Sequence, residues 1–286
     1  MAEVATFARS DQLLVVIDPA ARTTDGESVR IAKDVLSAGA TTKVCLPEDS
    51  DEFARALARR GARRPVVIGD DGALLRAVSL LHRQRQLAEC VLSVVPVGGA
   101  LTLAASLGVP LGAVAAARAA LDGVERRLDL LVDDSDGVVL GGLRIPPIRD
   151  PAPPDGATAV GPGAGRPWLR TCQSLVRTLV PARNTPATGS TGPSRLRVEV
   201  DGSTLIDLDE PVDAVSVTPG ASGVAAVEIH RVSVGADTAP LRAEGRTVTV
   251  SGAHFRYRAD ASTSGPIRRR TWTVGEGALR LVLPGH

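Results

Sequence analysis

The chain has 286 residues, 33 basic and 32 acidic side chains, and 44% hydrophobic residues. At roughly 150 residues per domain this length predicts two domains. The apolar fraction excludes a wholly disordered chain, and the near-zero net charge leaves no basic field for nucleic acid.

The aromatic residues are Phe7, Phe53, Trp168, Phe255, Tyr257 and Trp272. The core must therefore be built from Ala, Val and Leu, and a platform that stacks single-stranded bases is not expected. Lys33 and Lys43 are the two lysines; every other basic residue except histidine is Arg. In chain order, MAEVATFARSDQ lacks a basic segment leading into an apolar one, so no signal peptide is expected. Cys45, Cys90 and Cys172 are far apart and carry no zinc spacing, so no metal site is expected and the setting reads as cytoplasmic and reduced.

Leu13 to Asp18 is an apolar run of strand length. Val29, Ile31, Val35 and Leu36 then recur at helical spacing, ended by Gly39. Thr41–Leu46 reads as a second strand and Asp51–Arg60 as a helix with acids first and bases last. Pro65–Gly69 is a third strand, followed by a DDG turn and the helix ALLRAVSLLHRQ; Val91–Pro96 is a fourth strand running into Gly98-Gly99. Apolar strands alternating with helices predict a parallel sheet covered on both faces. The uncharged stretch Cys90–Ala117 is long enough to span a bilayer. Two prolines and four glycines interrupt it, so strand, turn and short helices are predicted instead. Arg127–Val132, the turn at 133–137 and VVLGGLRI predict a β-hairpin.

Composition changes at Pro146. Residues 146–193 are Pro- and Gly-rich and read as linker around one short helix, Leu169–Val180. From 194 to 286 apolar residues alternate with period two between Gly, Asp and Pro turns, which predicts an all-β sandwich or flattened barrel. The expected fold is thus an α/β lobe over 11–145 and a C-terminal β-sandwich domain over 194–286.

Two turns place glycine between a strand end and a helix start: Gly69-Asp70-Asp71-Gly72-Ala73 and Pro96-Val97-Gly98-Gly99-Ala100. Backbone amides and the positive helix end suit phosphate oxygens there. Both turns lie at carboxyl ends of parallel strands, on the rim where α/β ligands bind.

Taken together in order, VVIGDDGALLRAV and VLSVVPVGGALTLAASLGVPL resemble the catalytic domain of the diacylglycerol kinase family, which is related to the NAD kinases. The family's GGDGT falls on Gly69 to Ala73, and its PxGTxNDFA on Pro96 to Ala104. Val16-Ile17-Asp18-Pro19 stands at its Asn-Pro pair, and Arg127-Leu128-Asp129 resembles a later Asp-bearing segment. The likeness runs from Leu13 to Ile145 and continues more weakly in LRVEVDGSTLIDLDEPV and WTVGEGALRLVLPG. It implies a cleft between two lobes, ATP and magnesium as cofactors, and phosphorylation of a lipid hydroxyl, with nucleotide or lipid as partner. Asp18, Arg22, Gly69, Asp71, Gly72, Ala73, Gly98 and Gly99 are the expected cofactor-binding residues. Asp71 has a second reading as a helix N-cap, and Arg22 as a solvated arginine.

The chain departs from the pattern at several chemical positions. Asp70 replaces a glycine and Ala73 a threonine; Gly99, Leu101 and Thr102 stand at Thr, Asn and Asp. The family's Asp-Gly-Glu with its general base aligns with Asp260-Ala261-Ser262, so Asp71 and Asp260 are the weak catalytic candidates. A positioned base contributes roughly 10²–10⁴-fold. Phosphoryl transfer is therefore expected to be weakened or lost. The alternative is a non-catalytic nucleotide- or lipid-binding or scaffold protein of the same fold. A carboxylate at Glu199, Glu228 or Asp260 facing Asp71 across the cleft would restore a kinase reading. Arg268-Arg269-Arg270 reads as a solvated strand end or as a contact for anionic headgroups at the membrane periphery, and exposed sheet edges allow a homodimer.

Overall fold

The computed structural model describes residues 12–147, 193–232 and 239–285. The predicted helix Leu169–Val180 and the linker segments between 148 and 192 lie outside them.

Four parallel strands, β1 (Gln12–Ile17), β2 (Thr41–Cys45), β3 (Arg64–Gly69) and β4 (Val91–Pro96), are ordered β2-β1-β3-β4. Helices α1 (Pro19–Thr24), α2 (Gly26–Gly39), α3 (Ser50–Ala58), α4 (Asp71–Arg83), α5 (Thr102–Ser106) and α6 (Ala113–Asp122) fill the connections. Successive strand residues point to opposite faces, and both faces are covered. Leu13, Val15 and Ile17 pack with Val29, Ala32 and Leu36 of α2 and with the alanines of α6. Leu14 and Val16 pack with Phe53 and Leu57 of α3 and with Leu74, Ala77 and Leu81 of α4. The uncharged stretch Cys90–Ala117 is accordingly β4, α5 and the start of α6. Among the described residues no helix is long and apolar enough to cross a membrane.

The strands that follow are β5 (Val124–Asp133), β6 (Val138–Val139), β7 (Leu143–Ile145), β8 (Ser194–Val200), β9 (Ser203–Ile206), β10 (Pro211–Pro219), β11 (Ala225–Arg231), β12 (Leu241–Gly245), β13 (Thr247–Ala259) and β14 (Ser262–Leu283). They pair mostly antiparallel around a second core that holds Trp272, Tyr257, Phe255 and many valines. Tyr257 meets Trp272 edge to face, with ring centroids 5.2 Å apart. Three of the chain's aromatic residues thus share the second core, while Phe53 is in the first.

The sequence division at 145 does not coincide with the sheet. The expected hairpin forms only at its turn, where Leu131 is opposite Val139 and Val132 opposite Val138; the rest of its second strand, Leu143–Ile145, pairs elsewhere. However, β5 also pairs along most of its length with β14, and β7 lies between β10 and β13. These strands therefore join the later part of the chain. Local periodicity could not show it, because the partners lie far away in the sequence, Ile145 opposite Val215 and Val124 opposite Leu283. Within β5, Leu130 packs into the first core and Leu131 into the second. β14 pairs in addition with β4, parallel, at Arg280–Val91 and Leu281–Leu92. Every strand among the described residues is thereby linked into one hydrogen-bonded array.

The β5–β6 turn is organised by Asp133. Its carboxylate accepts from the Ser135 amide and hydroxyl at 2.8 and 2.7 Å and from the Gly137 amide at 2.9 Å. Burial alone would raise its pKa, but these donors, with Arg270, hold it below the usual carboxylate value. A depressed folded pKa contributes stability above the unfolded value and loses it as pH falls through the folded one. Urea unfolding should therefore show stability falling below about pH 4, with a shallower fall in Asp133→Asn. That variant should also be less stable at neutral pH by about 1–3 kcal/mol.

Candidate functional site

The two glycine turns lie side by side at the carboxyl ends of β3 and β4. The Val97 amide donates to the Gly69 carbonyl at 3.0 Å and the Asp71 amide to the Ala100 carbonyl at 2.8 Å. Gly69 is required by packing: a Cβ there would meet the Ala73 Cβ at 2.5 Å and the Asp18 Cβ at 3.0 Å. Gly98 has φ of 127°, which an L side chain rarely adopts. Gly72 would place a Cβ against the Asp70 carboxylate, whereas Gly99 faces open space.

Three helix N-termini on this rim already hold carboxylates. Asp18 caps α1, accepting from the Ala20 amide at 2.9 Å, and its second oxygen pairs with Arg76 of α4. Asp70 caps α4 by accepting from the Ala73 amide at 3.1 Å. Asp71 is not the cap of its own helix. Its buried carboxylate reaches across to α5, accepting from the amides of Leu103 at 2.9 Å and Ala104 at 3.0 Å and from the Thr102 hydroxyl at 3.3 Å. Helix α5 has no cap of its own, because Leu101 stands at that position. A carboxylate in place of Thr102 would meet Asp71 as a like charge; the threonine offers a donor instead. Arg22, proposed from sequence as a phosphate contact, donates to the Pro47 carbonyl at 2.8 Å and ties α1 to the end of β2.

A cavity of about 370 Å³ opens beside α5; Asp71 and Ala100 of the two turns line it, but none of the turns' glycines does. Of the sequence candidates, Asp71 and Asp260 line it; Asp18, Arg22, Gly69, Gly72, Ala73, Gly98 and Gly99 do not. Asp260 sits in the β13–β14 turn with φ of 48°, a conformation aspartate tolerates. Its carboxylate accepts from three successive amides, Leu140 at 2.8 Å, Gly141 at 2.7 Å and Gly142 at 3.1 Å. Burial raises its pKa, those amides oppose the shift, and the negative charge of Asp71 adds to it. The cleft thus has a carboxylate opposite Asp71 that can take up a proton more readily than an ordinary aspartate. Ser262, where a glutamate was expected, closes the hairpin by donating to the Ala259 carbonyl. Glu199 pairs with Arg197 and Glu228 with Arg242, and neither lines the cavity. Arg270 pairs with Asp134, while Arg268 and Arg269 are exposed.

Sequence reasoning missed Arg144, Arg258 and Thr218, which line the same cavity. Arg144 is opposite Arg258 in the β7–β13 register and opposite Ser216 in the β7–β10 register. The buried neighbours Leu143, Ile145, Tyr257 and Ala259 fill the second core, so strand alternation turns both arginines to the other face. Asp129 was read as part of a motif. Its carboxylate accepts from the amides of Gly223 and Gly277, both at 2.7 Å, and joins two loops.

A nucleoside triphosphate held as the motifs imply does not fit these residues. The amides at the starts of α4 and α5 are occupied by Asp70 and Asp71, and phosphates would have to displace carboxylates and then sit beside them. Magnesium is normally bound through one or two carboxylates together with the phosphates. Among the described residues no group of three or more His, Cys, Asp or Glu is placed to hold a metal.

Comparison with known proteins places this geometry. Residues 12–132 match the family model of the diacylglycerol kinase catalytic domain. No curated protein matches the chain. Two solved structures from Bacillus anthracis str. Sterne, each described as "a putative diacylglycerol kinase", share 12% identity with it at a TM-score of 0.69. They cover 97% of this chain, which in turn covers 98% and 99% of theirs. At that identity the likeness shows the fold, and it extends over both parts of the chain.

Removing the Asp71 carboxylate would strand three donors. Asp71→Ala should lower stability by about 2–4 kcal/mol in urea unfolding. A residue serving only a ligand would leave ligand-free stability unchanged.

Proposed function

We propose, from the membership of residues 12–132 in the diacylglycerol kinase catalytic-domain family, that this chain is a lipid kinase-like protein. In it the family cleft persists as a binding site, while ATP-dependent phosphorylation of a lipid hydroxyl is weakened or lost. One observation carries the reading: the helix ends that would receive phosphates are capped by Asp70 and Asp71 of the chain itself. Phosphoryl transfer depends almost entirely on positioning and on stabilising charge. Here the positioning amides are in use and the nearby charges have the wrong sign. The losses at Ala73, Leu101 and Ser262 act in the same direction.

A second reading has its own support. Asp260 lines the same cavity as Asp71, and its proton affinity is raised. A kinase that uses Asp260 as general base in place of the missing glutamate follows from this placement.

One assay separates the two. Purified protein is given labelled ATP, magnesium and diacylglycerol in mixed micelles. The first reading expects lipid labelling at least about 100-fold below that of a lipid kinase with intact motifs. Magnesium-dependent labelling at a comparable rate, abolished in Asp260→Asn, would overturn it in favour of the second.

A further inference from the structure

A second cavity, of about 320 Å³, opens at the β2 end of the sheet, between β2 and α3. It shares no lining residue with the cavity beside α5. The register of β2 sets what it receives. Lys43 stands opposite Leu14 and Cys45 opposite Val16, and both partners pack with α3 in the first core. Strand alternation therefore turns Lys43 and Cys45 to the α3 side. On α3, Phe53 and Leu57 are buried in that core. Arg55 and Arg59, one helical turn apart, line the cavity instead.

A cation from the strand and two from the helix thus converge on one space. Among the described residues neither the Lys43 ammonium nor the Arg59 guanidinium has a hydrogen-bond or ion-pair partner. The carboxylate in the lining is Glu52, and it is engaged twice. It accepts from the Glu48 amide at 2.9 Å and pairs with Arg55 at 3.7 Å. The helix dipole favours a base at Arg59, and a lysine guards an edge strand against mispairing. Neither reason calls for gathering the three charges around one cavity, and like charges one turn apart weaken a helix. Leu14, Leu46 and Ala56 supply an apolar side, on which Leu46 stays 53% exposed.

We propose that this cavity binds a small organic dianion, with one anionic group received by Arg55 and Arg59, the other by Lys43, and the carbon skeleton against Leu46. Planar guanidinium groups suit the oxygens of a carboxylate or phosphate, and an ammonium serves as a compact point charge. Salt screens each contact at an open site, so a ligand that engages strand and helix together is held where a monoanion is not. The volume is at the small end of ligand pockets, which suits a skeleton of a few carbons. The proposal stands apart from the kinase reading, because the two cavities have no residue in common. A dicarboxylate and a phosphorylated carboxylate offer the same chemistry.

Isothermal titration of the purified full chain at fixed ionic strength decides it, with succinate, 3-phosphoglycerate and acetate as probes. At least one dianion should bind, and acetate should bind at least about 10-fold more weakly. Lys43→Gln and Arg59→Gln should each weaken dianion binding by at least about 10-fold. Arg30→Gln, on the exposed face of α2, should leave it unchanged. Circular dichroism identifies the folded variants, and either of the first two suffices. A clear preference for 3-phosphoglycerate assigns a phosphorylated ligand; equal affinities assign a dicarboxylate. Three results overturn the proposal: dianions binding no tighter than acetate, unchanged affinity in folded Lys43→Gln or Arg59→Gln, or an equal loss in Arg30→Gln. None of them bears on the micelle assay, so this site and the weakened-kinase reading fail separately.

Discussion

The buried carboxylate of Asp71 is the joint on which the site depends. Its backbone amide reaches the Ala100 carbonyl and its side chain takes the first free amides of α5. One residue therefore fixes the distance between the two glycine turns and the direction in which a five-residue helix leaves the sheet. So short a helix has little stability of its own and needs this external cap. Because α5 forms one wall of the cavity, the shape of the cleft is set by a hydrogen-bonded aspartate.

The same device recurs across the molecule. Asp18, Asp25, Asp49 and Asp70 cap helices, while Asp129, Asp201 and Asp260 each bind the amides of distant or adjoining turns. Hydrogen bonds from amides to a carboxylate are stronger than those between neutral groups, and they require only a short side chain. A chain with two lysines and few rings uses them to order its loops. The consequence at the rim is chemical as well as structural. Amides that could receive a phosphate are engaged internally, and the arginines that line the cleft, Arg144 and Arg258, stand on β7 and β13.

Much of this was legible in the sequence, for local reasons. β1, β3, β4 and α4 follow from apolar runs and acidic N-caps within a few residues. The glycine spacing of the two turns was enough to suggest the family. Illegible parts depend on long-range pairing. Nothing near Arg144 marks it as a partner of Arg258; only the register of β7 against β13 does. Asp71 looked like a cap for the helix it begins, because a sequence shows the helix that follows and not the one that packs beside it. Asp70 takes that local role instead. The base that seemed missing at Ser262 has a neighbour, Asp260, whose position in the cleft depends on a tight turn and on the β6–β7 segment folding over it.

β14 runs for 22 residues, pairing first with β13, then with β5, and at Arg280 and Leu281 with β4. A single strand is therefore shared by the two cores. Relative motion of the two halves cannot be a swing about a slack tether; it must bend or shear a hydrogen-bonded ribbon. The register break between Gly275 and Leu279, where Gly277 has φ of 56°, is the place where that ribbon can yield. Sharing also has a temporal side. The outer edge of β4 stays unpaired until β14 has been synthesised, so the first core is completed by residues far along the chain from β4. During that interval the nascent chain carries an open, apolar sheet edge, the kind of surface on which chaperones act and misfolding begins.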